Sequence, residues 1–168
     1  MGRAKAGYAV ELGSVPGRLA VRADPETARR LFHTMLCLFP SPSTLCIRYR
    51  ERGATFTRCA RTVPRAAIAE AFESLSEFIL AGQRIQFIVA SDTVAAEMRI
   101  GGGGELRVAA DDLGPFERVV EECGLPALRG RRLPAAPRLG SPSRLGGEAA
   151  TLHNVLERLR LTPSPARN

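Results

Sequence analysis

The stretch from residue 44 to residue 63 carries the most unusual group of charged side chains in the chain. The segments TLCIRYRER (44–52) and TFTRCARTV (55–63) flank Gly53-Ala54, and both alternate apolar and polar residues, as the strands of an antiparallel hairpin do. Pairing them about that turn places four arginines on one face, namely Arg48, Arg50, Arg52 and Arg61. Guanidinium groups bind phosphate or carboxylate through paired hydrogen bonds, so this face is a candidate anion-binding surface.

Three explanations account for such a face. The arginines are solvated or paired with acids of the following helix, such as Glu70, Glu73 and Glu77, or they bind an acidic protein, or they bind nucleic acid. Sheets that read single-stranded RNA place aromatic rings on the binding face. Here Tyr49 and Phe56 are expected on the opposite face, with the core residues, which disfavours base stacking.

Four consecutive glycines, 101–104, raise the question of a phosphate-binding loop. A P-loop needs a lysine and a hydroxyl residue after its glycines and then a helix, whereas here an alternating strand pattern follows. The dinucleotide fingerprint fails as well, because Leu106 stands where its third glycine would be. We therefore predict a hairpin turn with a mobile tip and no ligand.

Residues suited to catalysis or metal binding are few and each has a structural role. His33 and Cys37 share a helix face, but no third or fourth ligand accompanies them. The candidate acids are Asp92, Glu97, Asp111 and Asp112, which the pattern places in a turn, on a strand and at a helix start. We predict no metal, no cofactor and no catalytic residue, and an enzyme is disfavoured.

The four cysteines, Cys37, Cys46, Cys59 and Cys123, include no C-x-x-C pair and are predicted to be free thiols. No run of about 18 apolar residues and no secretory segment is present, so the cytoplasm is expected, without a membrane partner. The net charge of +7 is uneven: residues 127–168 contain eight arginines and two glutamates, while residues 1–126 are nearly neutral. The basic excess therefore lies at the C-terminal end.

The helices and strands that position these residues are predicted from the spacing of apolar residues and from the turn and capping residues between them. Strands are predicted at 7–12, 18–23, 44–52, 55–63, 85–91, 93–100 and 105–110, and helices at 25–39, 65–81 and from 111 or 112 to 123. The order ββαββαβββα predicts one α+β domain over residues 1–125. We expect an antiparallel sheet built from hairpins, with the helices mainly on one face.

After residue 125 the sequence changes character. Residues 126–148 are rich in Pro, Gly and Arg, including Arg131 and Arg132, and are predicted to form a flexible or extended basic linker. Residues 149–161 are predicted to form an amphipathic helix, and residues 162–168 a disordered tail. The apolar stripe of that helix is Leu152, Val155, Leu156 and Leu159. It would dock either on its own domain or in a groove of another chain.

The functional hypothesis is a non-enzymatic, cytoplasmic, protein-binding module: an adaptor, an inhibitor or immunity-type protein, or an assembly subunit. Its contact surfaces would be the arginine face, Arg131, Arg132 and the C-terminal helix. The alternative is a nucleic-acid-binding accessory protein that uses the same arginines and the basic linker.

Overall fold

The computed structural model describes residues 6–11, 15–82, 84–128 and 148–163. The strands are β1 (Gly7–Glu11), β2 (Gly17–Arg22), β3 (Ser43–Glu51), β4 (Ala54–Val63), β5 (Ile85–Ser91), β6 (Ala96–Gly101), β7 (Glu105–Ala110) and β8 (Thr162–Pro163). The helices are α1 (Pro25–Leu36), α2 (Arg65–Ala81), α3 (Gly114–Glu122) and α4 (Glu148–Arg158). The predicted α+β class and element order are confirmed.

All eight strands form one antiparallel sheet in the order β1-β2-β7-β6-β5-β3-β4-β8. Neighbours in the chain pair within the hairpins β1–β2, β3–β4, β5–β6 and β6–β7. The pairings β2–β7 and β3–β5 join segments that are distant in sequence. The strands β5, β6 and β7 therefore lie between the hairpin β1–β2 and the hairpin β3–β4.

The helices form one layer on one face of this sheet. Helix α1 contacts both α2 and α3, and α2 contacts α4, so their order across the sheet is α3-α1-α2-α4. Phe32 of α1, Phe72 of α2 and Phe87 of β5 meet with ring centroids 3.9 to 5.7 Å apart and are fully buried. Within the described residues no helix is both long and apolar enough to cross a membrane.

Local sequence explains where the two long helices lie. Asp24 caps α1 by accepting a hydrogen bond from the backbone N–H of Thr27, and Pro25 occupies the first helical position. Helix α2 buries an apolar stripe with the i, i+4, i+7, i+11 spacing of one helix face, which consists of Ile68, Phe72, Leu75 and Ile79. The apolar sides of α1 and α2 pack against one face of the sheet. Side chains alternate along each strand, so every second side chain points to the other face, which none of the described helices covers.

The β3–β4 hairpin turns at Arg52-Gly53, not at Gly53-Ala54. Both turn residues have positive φ, +48° and +80°, as a two-residue hairpin turn requires. A turn at Gly53-Ala54 predicts Arg50 opposite Thr57 and Arg48 opposite Cys59; these pairs are wrong by two residues, although the two faces of the hairpin are as predicted. In the observed register Cys46 lies directly opposite Cys59, and Arg48 opposite Thr57.

This register pairs two of the cysteines that we predicted to be free. Cys46 and Cys59 form a disulfide across β3 and β4, with Cα atoms 4.1 Å apart. Residues directly opposite in an antiparallel pair come as close as about 4.5 Å, which suits a disulfide. Cys37 and Cys123 are free thiols.

The glycine run turns the chain between β6 and β7, as predicted, but its tip is attached to the domain. The N–H of Gly103 donates to the carbonyl of Leu80, and the N–H of Ala23 donates to the carbonyl of Gly104. Gly104 has φ +74°, and a Cβ atom there would lie 2.3 Å from the carbonyl oxygen of Ala23. Close approach of two backbones, as well as the turn, requires this glycine.

The C-terminal helix docks on its own domain. Leu152 and Val155 of α4 are buried in the main core, and an ion pair joins Arg158 to Glu70 of α2. Thr162 and Pro163, predicted as part of a disordered tail, pair with β4 as strand β8. Residues 126–128 of the predicted linker lie beside β1, where Tyr8 and Leu128 share a backbone hydrogen bond. Residues 129–147 and 164–168 lie outside the described residues.

Candidate binding surface

The helix-free face of β3 and β4 carries three of the four predicted arginines. Alternation along the strands places Arg48, Arg50 and Arg61 there, around the Cys46–Cys59 disulfide. Thr55 and Thr57 fill the positions opposite Arg50 and Arg48. We call this set, Arg48, Arg50, Arg61, Thr55 and Thr57, the arginine surface. The fourth arginine, Arg52, lies in the hairpin turn instead, because the turn begins one residue earlier than predicted.

Hydroxyl groups are the polar neighbours of this surface. Arg48 donates through Nε to the hydroxyl of Thr57 at 3.4 Å. Among the described residues, no carboxylate oxygen lies within 4.0 Å of the guanidinium of Arg48 or Arg61. Positive charge at these two positions is therefore not neutralised by the described part of the fold.

The acids of α2 belong to the other layer of the molecule. Glu70 accepts from Arg158 of α4, and Glu73 accepts from His33 and faces Arg29 of α1. These contacts link neighbouring helices. The explanation that Glu70, Glu73 and Glu77 neutralise the sheet arginines is therefore wrong for Glu70 and Glu73, which are engaged on the opposite side of the sheet.

Aromatic side chains are on the helix side of the hairpin, as predicted. The rings of Tyr49 and Phe56 stack on each other at 5.4 Å. Tyr49 is buried and Phe56 is 38% exposed. On β3 and β4 the arginine surface thus presents hydroxyl and guanidinium groups with no ring for a base to stack on.

The other half of the helix-free face, formed by β2, β7 and β6, contains a pocket of about 270 Å³. Its floor includes Ala20 and Ala109, and its walls include Arg18, Arg99, Arg107 and Glu97. Ala109 lies opposite Arg18 on one side and Glu97 on the other, while Ala20 lies opposite Arg107. The recess exists because methyl groups alternate with long side chains across three strands. We call it the alanine-floored pocket.

Carboxylates orient the arginines of this half. Glu105 is buried at 6% exposure and accepts from Nε of Arg107 at 2.7 Å, with Arg22 at 3.6 Å on its other side. Glu97 accepts from Nε of Arg99. Both acids precede their arginine by two residues on the same strand, so each pair shares a face. This half is therefore an ion-pair network, unlike the arginine surface.

The other candidate residues are dispersed through the fold. His33 and Cys37 lie on α1, where His33 contacts Phe32, Phe72 and Glu73. Asp92 lies in the β5–β6 turn, and Asp112 accepts from the backbone N–H of Gly114 before α3. In the described part of the chain, no three His, Cys, Asp or Glu residues are grouped as metal ligands would be.

The side chains predicted as docking contacts on α4 pack inward. Leu152 and Val155 are 3% exposed, and Leu156 and Leu159 are partly buried against the same core. Arg131 and Arg132 lie outside the described residues. Of the predicted contact residues, the structure therefore brings together Arg48, Arg50 and Arg61 on one surface, and it places the α4 stripe inside the domain.

Comparison with models of protein families, with curated proteins and with solved structures finds no match to this chain.

Proposed function

We propose that this protein is a non-enzymatic binding module whose arginine surface binds an acidic region of a partner protein. The classes that fit are an adaptor, an inhibitor or immunity-type protein, and an assembly subunit. The observation that carries the proposal is the absence, within the described residues, of any carboxylate within 4.0 Å of Arg48 or Arg61.

Electrostatics favours an acidic partner at such a surface. Arg48 and Arg50 lie two residues apart on the same face of β3, so their like charges repel each other. Carboxylates of a partner would relieve that repulsion and form paired hydrogen bonds with the guanidinium groups. Complementary charge also raises the association rate and excludes basic partners.

A protein partner fits better than a single-stranded nucleic acid because the rings of Tyr49 and Phe56 stack on the helix side. The helix α4 is left out of the proposed interface, since Leu152 and Val155 already stabilise its own domain. The proposal retains the cytoplasm as the compartment; the Cys46–Cys59 disulfide is the observation against it, because disulfides are rare in cytosolic proteins.

The proposal is tested by removing charge from each layer in turn. A protein captured from the native host is purified, and its affinity is measured for the wild type, for Arg48→Gln/Arg61→Gln, and for Arg30→Gln/Arg118→Gln. The last variant removes two arginines from the exposed side of α1 and α3. We expect the first variant to weaken binding at least about tenfold and the control to bind like the wild type, because only the first removes interfacial charge pairs.

Equal affinity of all three proteins would contradict the proposal. A nucleic acid as the captured partner would contradict it too. In that case affinity for a duplex should fall with salt at a log–log slope of about −0.9 per phosphate contacted.

A further inference from the structure

The alanine-floored pocket is a second recess of basic character that the proposed partner interface does not use. It lies between β2, β7 and β6, whereas the arginine surface lies on β3 and β4. The two sites have no side chain in common. An inference about the pocket therefore stands or fails independently of the proposed function.

Three arginines from three adjacent strands meet at this pocket. Arg99 of β6 and Arg107 of β7 are direct cross-strand partners, and Arg18 of β2 lies two residues further along the register, opposite Ala109. Directly opposed like charges destabilise a sheet pair. Glu97 and Glu105 offset part of that repulsion, and an anion placed between Arg99 and Arg107 would add a favourable interaction with each guanidinium.

Each of these arginines is held by a carboxylate, and the contacts of Arg18 and Arg99 leave hydrogen-bond donors for a ligand. Arg99 contacts Glu97 through Nε, so its two terminal nitrogens are not used by that pair. Arg18 approaches Glu11 with one terminal nitrogen at 3.6 Å, and its side chain is 60% exposed. Glu105, which is buried, contacts both Nε and a terminal nitrogen of Arg107 and so fixes the position of that guanidinium. Guanidinium groups oriented in advance lose less conformational entropy when they bind an anion.

The size and charge of the pocket restrict the ligand. About 270 Å³ is less than the roughly 300–1,000 Å³ of sites that enclose drug-sized molecules. With the carboxylates that pair with its arginines counted, Arg18, Arg22, Arg99 and Arg107 against Glu11, Glu97 and Glu105 leave an excess of one positive charge. The pocket therefore suits one small anionic group with several acceptor oxygens, such as a phosphate monoester, whose second pKa is about 6.

We propose that the alanine-floored pocket binds the dianion of a phosphate monoester through Arg18, Arg99 and Arg107. The phosphate would come either from a small phosphorylated metabolite or from a phosphorylated serine or threonine of a protein. In both cases its oxygens accept from guanidinium groups above the methyl groups of Ala20 and Ala109.

The first experiment titrates the intact protein with sodium phosphate at pH 7.5 and constant ionic strength, recording the Nε–Hε signals of the arginines by NMR. We expect saturable shifts at Arg18, Arg99 and Arg107 and none at Arg48, which is on the other half of the face. The absence of saturation up to 20 mM phosphate, a concentration chosen for the titration on the order of the weakest useful affinities, would overturn the proposal. So would equal shifts at Arg48.

Single substitutions distinguish phosphate binding at specific arginines from attraction to the net positive charge of the protein. Arg99→Gln and Arg18→Gln are preferred to changes at Arg107, because Glu105 is buried and needs Arg107. We expect each to weaken phosphate binding about tenfold, and the matched control Arg48→Gln to have no effect. A loss of the same size in Arg48→Gln would show that only net charge matters, and would contradict the proposal.

Two further comparisons identify the ligand. Lowering the pH from 7.5 to 5.5 should weaken binding, because the phosphate monoester becomes a monoanion below its second pKa of about 6. Phenyl phosphate is then compared with a short phosphoserine peptide. Tighter binding of the peptide assigns the site to a phosphoprotein, and equal binding assigns it to small phosphate esters. Binding that does not change with pH would contradict a dianion site.

Discussion

At the scale of single residues, the glycine run has two roles, one in the local turn and one in a tertiary contact. Four glycines predict a turn, and the structure has one at 102–104, with positive φ at Gly103 and Gly104. The sequence does not show that Gly104 also lies against the carbonyl of Ala23. That contact joins the β6–β7 turn to the end of β2, so the turn also contributes to the packing of the domain.

Replacing each glycine by alanine should separate these two roles. In Gly103→Ala the added Cβ atom has open space around it, and the cost comes from the left-handed backbone conformation alone. We therefore expect a loss of about 1–2 kcal/mol in the free energy of unfolding. Gly104→Ala adds a Cβ atom 2.3 Å from the Ala23 oxygen, and we expect it to lose at least about 2 kcal/mol more. Urea denaturation measures both. Equal losses would mean that the Ala23 contact is unimportant.

Asp24 makes stability depend on pH at the start of α1. The hydrogen bond from the backbone N–H of Thr27 lowers the pKa of its carboxyl below the ordinary value of 3.8. The lowered pKa stabilises the folded state above pH 3.8, and this contribution is lost as the pH falls through the folded-state pKa.

The variant Asp24→Asn tests this dependence because asparagine caps a helix about as well but does not titrate there. We expect the difference in unfolding free energy between the wild type and Asp24→Asn to be constant from pH 7 to 5. Below about pH 4 the wild type should lose stability relative to Asp24→Asn. A difference that stays constant down to pH 2.5 would refute the capping role of the charge.

At the scale of elements, the sequence was most reliable where a pattern is local. The bounds of α2, β5 and β7 were predicted to the residue, since each has an uninterrupted period and a clear stop. The β3–β4 register was missed because the turn was placed one residue too late. A two-residue turn ending in Gly53 would have set Cys46 opposite Cys59, so the signal for the disulfide was present in the sequence.

The disulfide closes a loop with a sequence separation of 13 residues. The chain-entropy relation then gives about 3 kcal/mol of stabilisation. We therefore expect Cys46→Ala/Cys59→Ala to lose about that much under oxidising conditions, with the control Cys37→Ala within about 0.5 kcal/mol. Wild-type protein treated with dithiothreitol should match the double variant. Identical urea midpoints with and without reductant would contradict the pairing.

The docking of α4 is the second element-scale result that the sequence left open. Its stripe of Leu152, Val155, Leu156 and Leu159 required a partner surface but did not say which. The surface is α2, and the ion pairs Arg158–Glu70 and Arg84–Glu148 flank the contact. The exposed Arg158–Glu70 pair adds little, and desolvation offsets the attraction within the more buried Arg84–Glu148 pair, so apolar burial must account for most of the docking energy.

Truncating the buried side chain should therefore destabilise the whole domain. We expect Leu152→Ala to lower the free energy of unfolding by about 2–5 kcal/mol, because a fully buried leucine leaves a cavity. The neighbouring control, His153→Ala, removes a side chain that is 69% exposed and should change it by less than about 0.5 kcal/mol. Wild-type stability in Leu152→Ala would show that α4 does not dock on its own domain.

At the scale of the whole molecule, the central feature is the division of charge between two layers. The strand positions of the helix-free face hold seven arginines, Arg18, Arg22, Arg48, Arg50, Arg61, Arg99 and Arg107, and three glutamates, Glu11, Glu97 and Glu105. The glutamates lie on the β1-β2-β7-β6 half. The β3–β4 half is left positive, and this is the half on which the proposed function depends.

Sequence alone could not show this division. The arginines of β3 and β4 were placed on one face correctly, because strand alternation is local. Whether Glu70 and Glu73 neutralise them depended on the layer that α2 occupies, and the pairings β2–β7 and β3–β5 depend on contacts distant in sequence. In the first 126 residues the positive charges of the sheet face and the negative charges of the helix layer nearly cancel. The net charge of this part of the chain therefore does not reveal the basic face.

The most direct test of the account is to locate the bound partner with a photo-reactive amino acid placed at Thr57 in one protein and at Glu77 in another. Thr57 lies on the arginine surface, and Glu77 is exposed on α2 in the helix layer. We predict that an acidic protein of the native host crosslinks at Thr57 and not at Glu77, and that Arg48→Gln/Arg61→Gln abolishes the product. Crosslinking of the same protein at Glu77 and not at Thr57 would contradict the account.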